Sequence, residues 1–95
     1  MDKHLKTYQE IFANPIRANI VWKDIEALFT TLGGEISEGK GSRVRVALNG
    51  RKAVFHRPHP KKETNKSTIR SVRRFLEEAA VESLIAARFH KEAKV

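Results

Sequence analysis

Arg43-Val44-Arg45-Val46-Ala47-Leu48-Asn49-Gly50-Arg51-Lys52-Ala53-Val54-Phe55-His56 is the stretch that decides the fold. Val44, Val46 and Leu48 alternate with Arg43, Arg45 and Ala47, the period of two that gives a strand one apolar and one cationic face. Asn49-Gly50 follows, two residues that accept positive φ as a type I′ turn demands, so the stretch reads as a β-hairpin. The turn also sets the register. With Leu48 and Arg51 flanking a two-residue loop, Val46 faces Ala53 and Val44 faces Phe55 on the side to be buried. On the other side Arg45 opposes Val54 and Arg43 opposes His56.

Working outward, Ile36 begins a further short strand and Gly39-Lys40-Gly41 forms the flexible turn that joins it to the hairpin. Before it, Ile25, Leu28, Phe29 and Leu32 fall at i, i+3, i+4 and i+7 among polar residues, the apolar stripe of a core-facing helix, and Gly33-Gly34 stops it. Trp22, at or just before its start, reads as a core or staple residue. Leu5, Tyr8 and Phe12 predict an earlier helix over Asp2 to Ala13, ended by Asn14-Pro15. Beyond the hairpin, Pro58 and Pro60 end the strand, Lys61 to Lys66 is a polar loop, and Ile69, Val72, Phe75, Leu76 and Ala79 mark a helix from about Ser67 with Arg70, Arg73 and Arg74 turned partly outward. Whether it runs on through Leu84, Ile85 and Phe89 or breaks near Val81 stays open, because neither Gly nor Pro punctuates it. The expected fold is α+β: helix, three antiparallel strands and helix, with the helices on one face of the sheet, plus an N-terminal helix.

The 95 residues allow one small domain with one modest core, since a chain this short hides only about 60–65% of its unfolded surface. No apolar run approaches the roughly 20 residues of a membrane span, and Met-Asp-Lys-His-Leu-Lys at the start lacks the apolar stretch of a signal peptide, so the expectation is a soluble cytoplasmic protein. Zero cysteines exclude a disulfide framework, a thiolate metal site and a thiol nucleophile. The net charge is +8, and it is concentrated: Gly39 to Arg74 holds twelve basic residues against Glu63 alone, while both flanks are slightly acidic. A cationic middle third is the footprint expected for a polyanionic partner, because each neutralised phosphate releases condensed counterions. Lys40, Ser42, Arg45, Arg51, Lys52, Arg57, Lys61, Lys62, Lys66 and Arg70 are the candidate RNA-binding residues.

Trp22 to Val81 resembles the HicA family of toxin-antitoxin mRNA interferases, on three stretches. Leu32-Gly33-Gly34 resembles the close of the family's first helix, and Gly41-Ser42 resembles the start of its Gly-Ser-His motif. Arg57-Pro58-His59-Pro60, followed by a basic loop, Ser67-Thr68-Ile69-Arg70-Ser71-Val72 and Glu77-Glu78-Ala79-Ala80-Val81, resembles its Pro-x-His loop and closing helix. The resemblance implies a fold like the double-stranded RNA-binding domain, metal-independent cleavage of mRNA, and an acidic HicB-like antitoxin. It divides the chain into an N-terminal helical extension (1–19), a HicA-like domain (20–81) and a C-terminal helical extension (82–95). One departure stands out: the family's catalytic histidine after Gly-Ser is Arg43 here, and an arginine cannot shuttle a proton near pH 7.

RNA cleavage without a metal needs a base for the 2′-hydroxyl proton, an acid for the 5′-oxygen and a cation for the phosphorane charge. Histidine suits the first two roles. His4 and His90 lie in terminal segments, whereas His56 and His59 follow the third strand inside the basic segment and His56 faces Arg43 in register, so the candidate catalytic set is His56, His59 and Arg43. No metal or other cofactor is expected: His56-x-x-His59 has Pro58 between its members, no nearby acid and many cations around it. Ser42 reads as a turn serine, and Gly39-Lys40-Gly41-Ser42 as at most a backbone nest for a phosphate. The expected function is that of a ribonuclease toxin, and the alternative from a different class is a non-catalytic RNA-binding module on the same fold. A domain whose basic face serves only an acidic protein is the third.

Overall fold

The computed structural model describes residues 2–88, in the order α1 (Lys3–Ile11), β1 (Ile20–Val21), α2 (Trp22–Thr31), β2 (Glu35–Glu38), β3 (Arg43–Leu48), β4 (Arg51–His56), β5 (Glu63–Thr64), α3 (Lys66–Glu78) and α4 (Val81–Arg88). The α+β fold is therefore built on a three-stranded antiparallel sheet, β2-β3-β4. Its hairpin has the register read from Asn49-Gly50: Val46 pairs with Ala53, Val44 with Phe55, Arg45 with Val54 and Arg43 with His56. Asn49 and Gly50 take φ of 50° and 83°, as a type I′ turn requires. The edge strand β2 adds Ile36 opposite Val46 and Ser37 opposite Arg45.

Alternation turns Val44, Val46, Leu48 and Phe55 inward, where they are buried against Ile25, Leu28 and Phe29 of α2 and Ile69, Val72, Phe75 and Leu76 of α3. Mutual burial is the one arrangement that takes these three apolar faces out of water, at about 1.5–3 kcal/mol per large side chain. Phe29 stacks on Phe55 with ring centroids 5.9 Å apart, and Phe75 meets Phe55 edge-on at 5.8 Å. Trp22 is a core residue, 5.6 Å from Phe55. The helix α2 closes on Gly33 at φ 93°, whose amide donates to the carbonyl of Thr30, while Gly34 donates to that of Phe29. A Cβ on Gly34 would meet that Phe29 oxygen at 2.8 Å, so only glycine fits.

Several features depart from the sequence expectations. The loop from Lys61 to Lys66 contains β5, paired with β1 through Ile20 opposite Thr64 and Val21 opposite Glu63. A two-residue strand is too short to carry a periodic signal, and here it clips the chain entering α2 to the chain entering α3. Asn65 caps α3, accepting a hydrogen bond from the amide of Thr68, so that helix begins at Lys66. It ends at Glu78, and Ala80 at φ 54° turns the chain into the separate helix α4. Phe89 and His90 lie outside the described residues.

Arg73 is half-buried, whereas Arg70 and Arg74 are exposed. Its guanidinium donates to the carbonyl of Ile11 at 2.5 Å and to that of Ala13, and lies 5.9 Å from the centre of the Phe12 ring. The last carbonyls of α1 have no partner within the helix and carry its negative dipole end, which is where a cation is stabilised. The first helix thus joins the same core: Thr7 and Ile11 are buried. Among the described residues no helix is long and apolar enough to cross a membrane.

Candidate nucleic-acid interface

The connections between elements decide which basic residues meet. The hairpin runs about 20 Å, six residues at roughly 3.3 Å each. At its tip the side chain of Asn49 donates to the carbonyl of Ala79, which anchors the C-terminal end of α3 there. Thirteen helical residues at about 1.5 Å per residue span a similar length, so the N-terminal end of α3 lies toward the opposite, open end of the hairpin. The helix α2 is oriented likewise, because β2 leaves its C-terminal end and begins at Glu35, opposite Ala47 near the tip. Two helix N-termini, with their positive dipole ends, and the open end of the hairpin therefore face the same way.

That end gathers Lys40, Ser42 and Arg43 from the β2–β3 turn, His56 and His59 from the end of β4 and its loop, Lys61 and Lys62 before β5, and Lys66 and Arg70 on the first turns of α3. All are exposed. Arg43 and His56 are direct cross-strand partners on the open face of the sheet, and Arg45 and the exposed Val54 form the next row. The Arg45 guanidinium reaches back to the carbonyl of Glu38 at 3.3 Å. Arg51 and Lys52 sit at the tip, a hairpin's length from His56, and belong to a different part of the surface. His4 is half-buried on α1.

Arg57 is the exception among the sequence candidates. It is half-buried, and its guanidinium is engaged on both sides by carboxylates: Nε and Nη2 donate to Glu26 at 2.7 and 3.1 Å, Nη1 and Nη2 to Glu38 at 2.5 and 2.9 Å. These bonds, to Glu26 first and then Glu38, hold the guanidinium pKa further above its already high value. The Arg57 hydrogen bond likewise draws the Glu38 carboxyl below its ordinary range. The indole N–H of Trp22 also donates to Glu26. Nothing near Arg57 in sequence announces this: its partners are 31 and 19 residues away. The one local cue is the i, i+4 spacing of Trp22 and Glu26 on α2.

No cluster of three or more His, Asp or Glu side chains occurs among the described residues. Comparisons with curated proteins and with solved structures found no match. A family model, the HicA toxin of bacterial toxin-antitoxin systems, matches residues 22–81, a stretch that runs from the start of α2 to the start of α4 and includes the whole basic end. Because that match covers well over half of a chain with the fold described above, the chain belongs to the HicA toxin family.

Proposed function

We propose that this toxin acts as a metal-independent endoribonuclease on mRNA and is held inactive by an acidic HicB-like antitoxin. The observation that carries the reading is the opposition of Arg43 and His56 on an exposed strand pair, at the end where the basic loops and both helix N-termini converge. Lys40, Lys61, Lys62, Lys66 and Arg70 hold the phosphates, with Ser42 in the turn and Arg45 on the sheet beside them. His56 or His59 takes the proton of a 2′-hydroxyl, whose oxygen attacks the adjacent phosphorus. Arg43 stabilises the charge that builds on the phosphoryl oxygens. The P–O5′ bond then breaks, the 5′-oxygen receives a proton from the other histidine, and the products are a 2′,3′-cyclic phosphate and a 5′-hydroxyl. The cationic surface is also the one that an acidic antitoxin would cover.

A second reading is favoured by one observation: Arg43 stands where the resemblance places the family's histidine. On that reading the domain binds RNA without cutting it. Incubating the purified protein with a long RNA in EDTA separates the two. New 2′,3′-cyclic phosphate ends support the ribonuclease, and RNA that is bound but intact supports the binding module.

A further inference from the structure

We infer that Arg57 is a positioning residue, a latch that holds the two chain segments bearing Arg43 and His56 in register, and not a ligand of RNA phosphate. The inference rests on the ribonuclease reading for its catalytic meaning. Arg57 directly follows His56, and its amide donates to the carbonyl of Ser42, the residue directly before Arg43, at 2.8 Å. That bond extends the β3–β4 ladder one step beyond the pair. The side chain then crosses to Glu38 on β2 and to Glu26 on α2, so one residue ties together three elements around the candidate pair.

The charge of Arg57 is already met by two carboxylates in forked geometry, the arrangement that suits a guanidinium and not an ammonium. A phosphate would have to displace one of them. Trp22, the single tryptophan of the chain, shares Glu26 with Arg57 and packs on Phe55, so the latch is also continuous with the aromatic core. A loop carrying a proton-transfer group gains rate from being held, since a misplacement of about 1 Å can cost on the order of 10²-fold.

The test uses Arg57→Lys, Arg57→Gln, Glu26→Gln, Glu38→Gln and the Glu26→Gln/Glu38→Gln double variant in the full chain. Glu38 is largely exposed, with 70% of its side chain accessible, so Glu38→Gln leaves folding intact. A latch predicts that Glu38→Gln and Arg57→Lys lower kcat about tenfold or more while KM for RNA holds or falls, because the carboxylate variant removes negative charge from a basic surface. It also predicts faster hydrogen exchange at the Arg57 amide and a shifted Trp22 emission in Glu26→Gln. A phosphate ligand predicts the reverse: unchanged kcat in the carboxylate variants, and in Arg57→Gln a salt slope of RNA binding reduced by about one contact. That result overturns the latch. If the wild type does not cut RNA, the ribonuclease reading fails by itself. The latch then stands or falls on the Arg57 amide, and unchanged exchange in the Glu26→Gln/Glu38→Gln double variant overturns it.

Discussion

The side-chain amide of Asn49, at the tip of the β3–β4 hairpin, donates a 2.6 Å hydrogen bond to the carbonyl of Ala79 at the end of α3, thirty residues on. One residue therefore shapes a turn and joins two layers. Asn49→Gly keeps the backbone conformation and loses only the bond, which costs about 1 kcal/mol. Asn49→Ala adds the strain of a left-handed backbone, about 1–2 kcal/mol more. Urea unfolding should rank wild type above Asn49→Gly and Asn49→Gly above Asn49→Ala.

The core extends beyond the stretch matched to the family. Leu28→Ala and Leu76→Ala should each lose about 2–5 kcal/mol, and Ile11→Ala on α1 should fall in the same range, because all three side chains are buried on packed helices. Unfolding curves for Ile11→Ala decide whether α1 is part of the domain or an appendage. A loss below about 0.5 kcal/mol, the scale of a surface change, would mark it as the latter.

Stability should decline in acid in a way that Glu38→Gln suppresses. Glu38 has an ordinary value of 4.5, and its hydrogen bond to Arg57 lowers that in the folded chain. The unfolded state therefore binds the proton more readily, so the contribution is present above the ordinary value and is lost as pH falls through the folded value. A melting-temperature series on either side of pH 4.5 should show a smaller acid-side decline in the Gln variant than in wild type.

RNA affinity should fall steeply with added salt, with Lys61→Ala, Lys66→Ala and Arg70→Ala each weakening binding modestly whatever the RNA sequence. Arg51→Ala should have a smaller effect, since Arg51 lies at the hairpin tip. Filter binding at two salt concentrations checks both. Equal losses at Arg51 and Lys66 would show that the contact surface runs the whole length of the sheet.

If the protein cuts RNA, His56→Ala or His59→Ala should lose on the order of 10²-fold in rate with little change in binding. Arg43→Ala should slow the reaction through lost charge stabilisation, and Arg43→His should raise the rate by adding a group that titrates near neutrality. Single-turnover cleavage of one RNA by the four variants gives the answer. Full activity in both histidine variants would remove them from the mechanism.

What the sequence determined by itself is what depends on near neighbours. Alternation from Arg43 to Leu48, the positive-φ pair Asn49-Gly50 and the 3.6-residue spacing of Ile25, Leu28, Phe29 and Leu32 are local patterns, and each dictates which face meets the core. The register placing Arg43 opposite His56 follows from them, as does the concentration of charge between Gly39 and Arg74. Tertiary structure alone decided which of those charges remain available. Arg57 and Arg73 look like any other basic residue in the sequence, yet one is met by Glu26 and Glu38 and the other by the carbonyls of Ile11, which ends α1, and of Ala13 just beyond it. It also fixed the direction of α3, through a contact between residues 49 and 79 at the hairpin tip, and turned the chain at Ala80 without a glycine. Guanidinium groups and helix ends take whichever partners the packed core brings within about 3 Å, and the spacing of residues along the chain does not encode that distance.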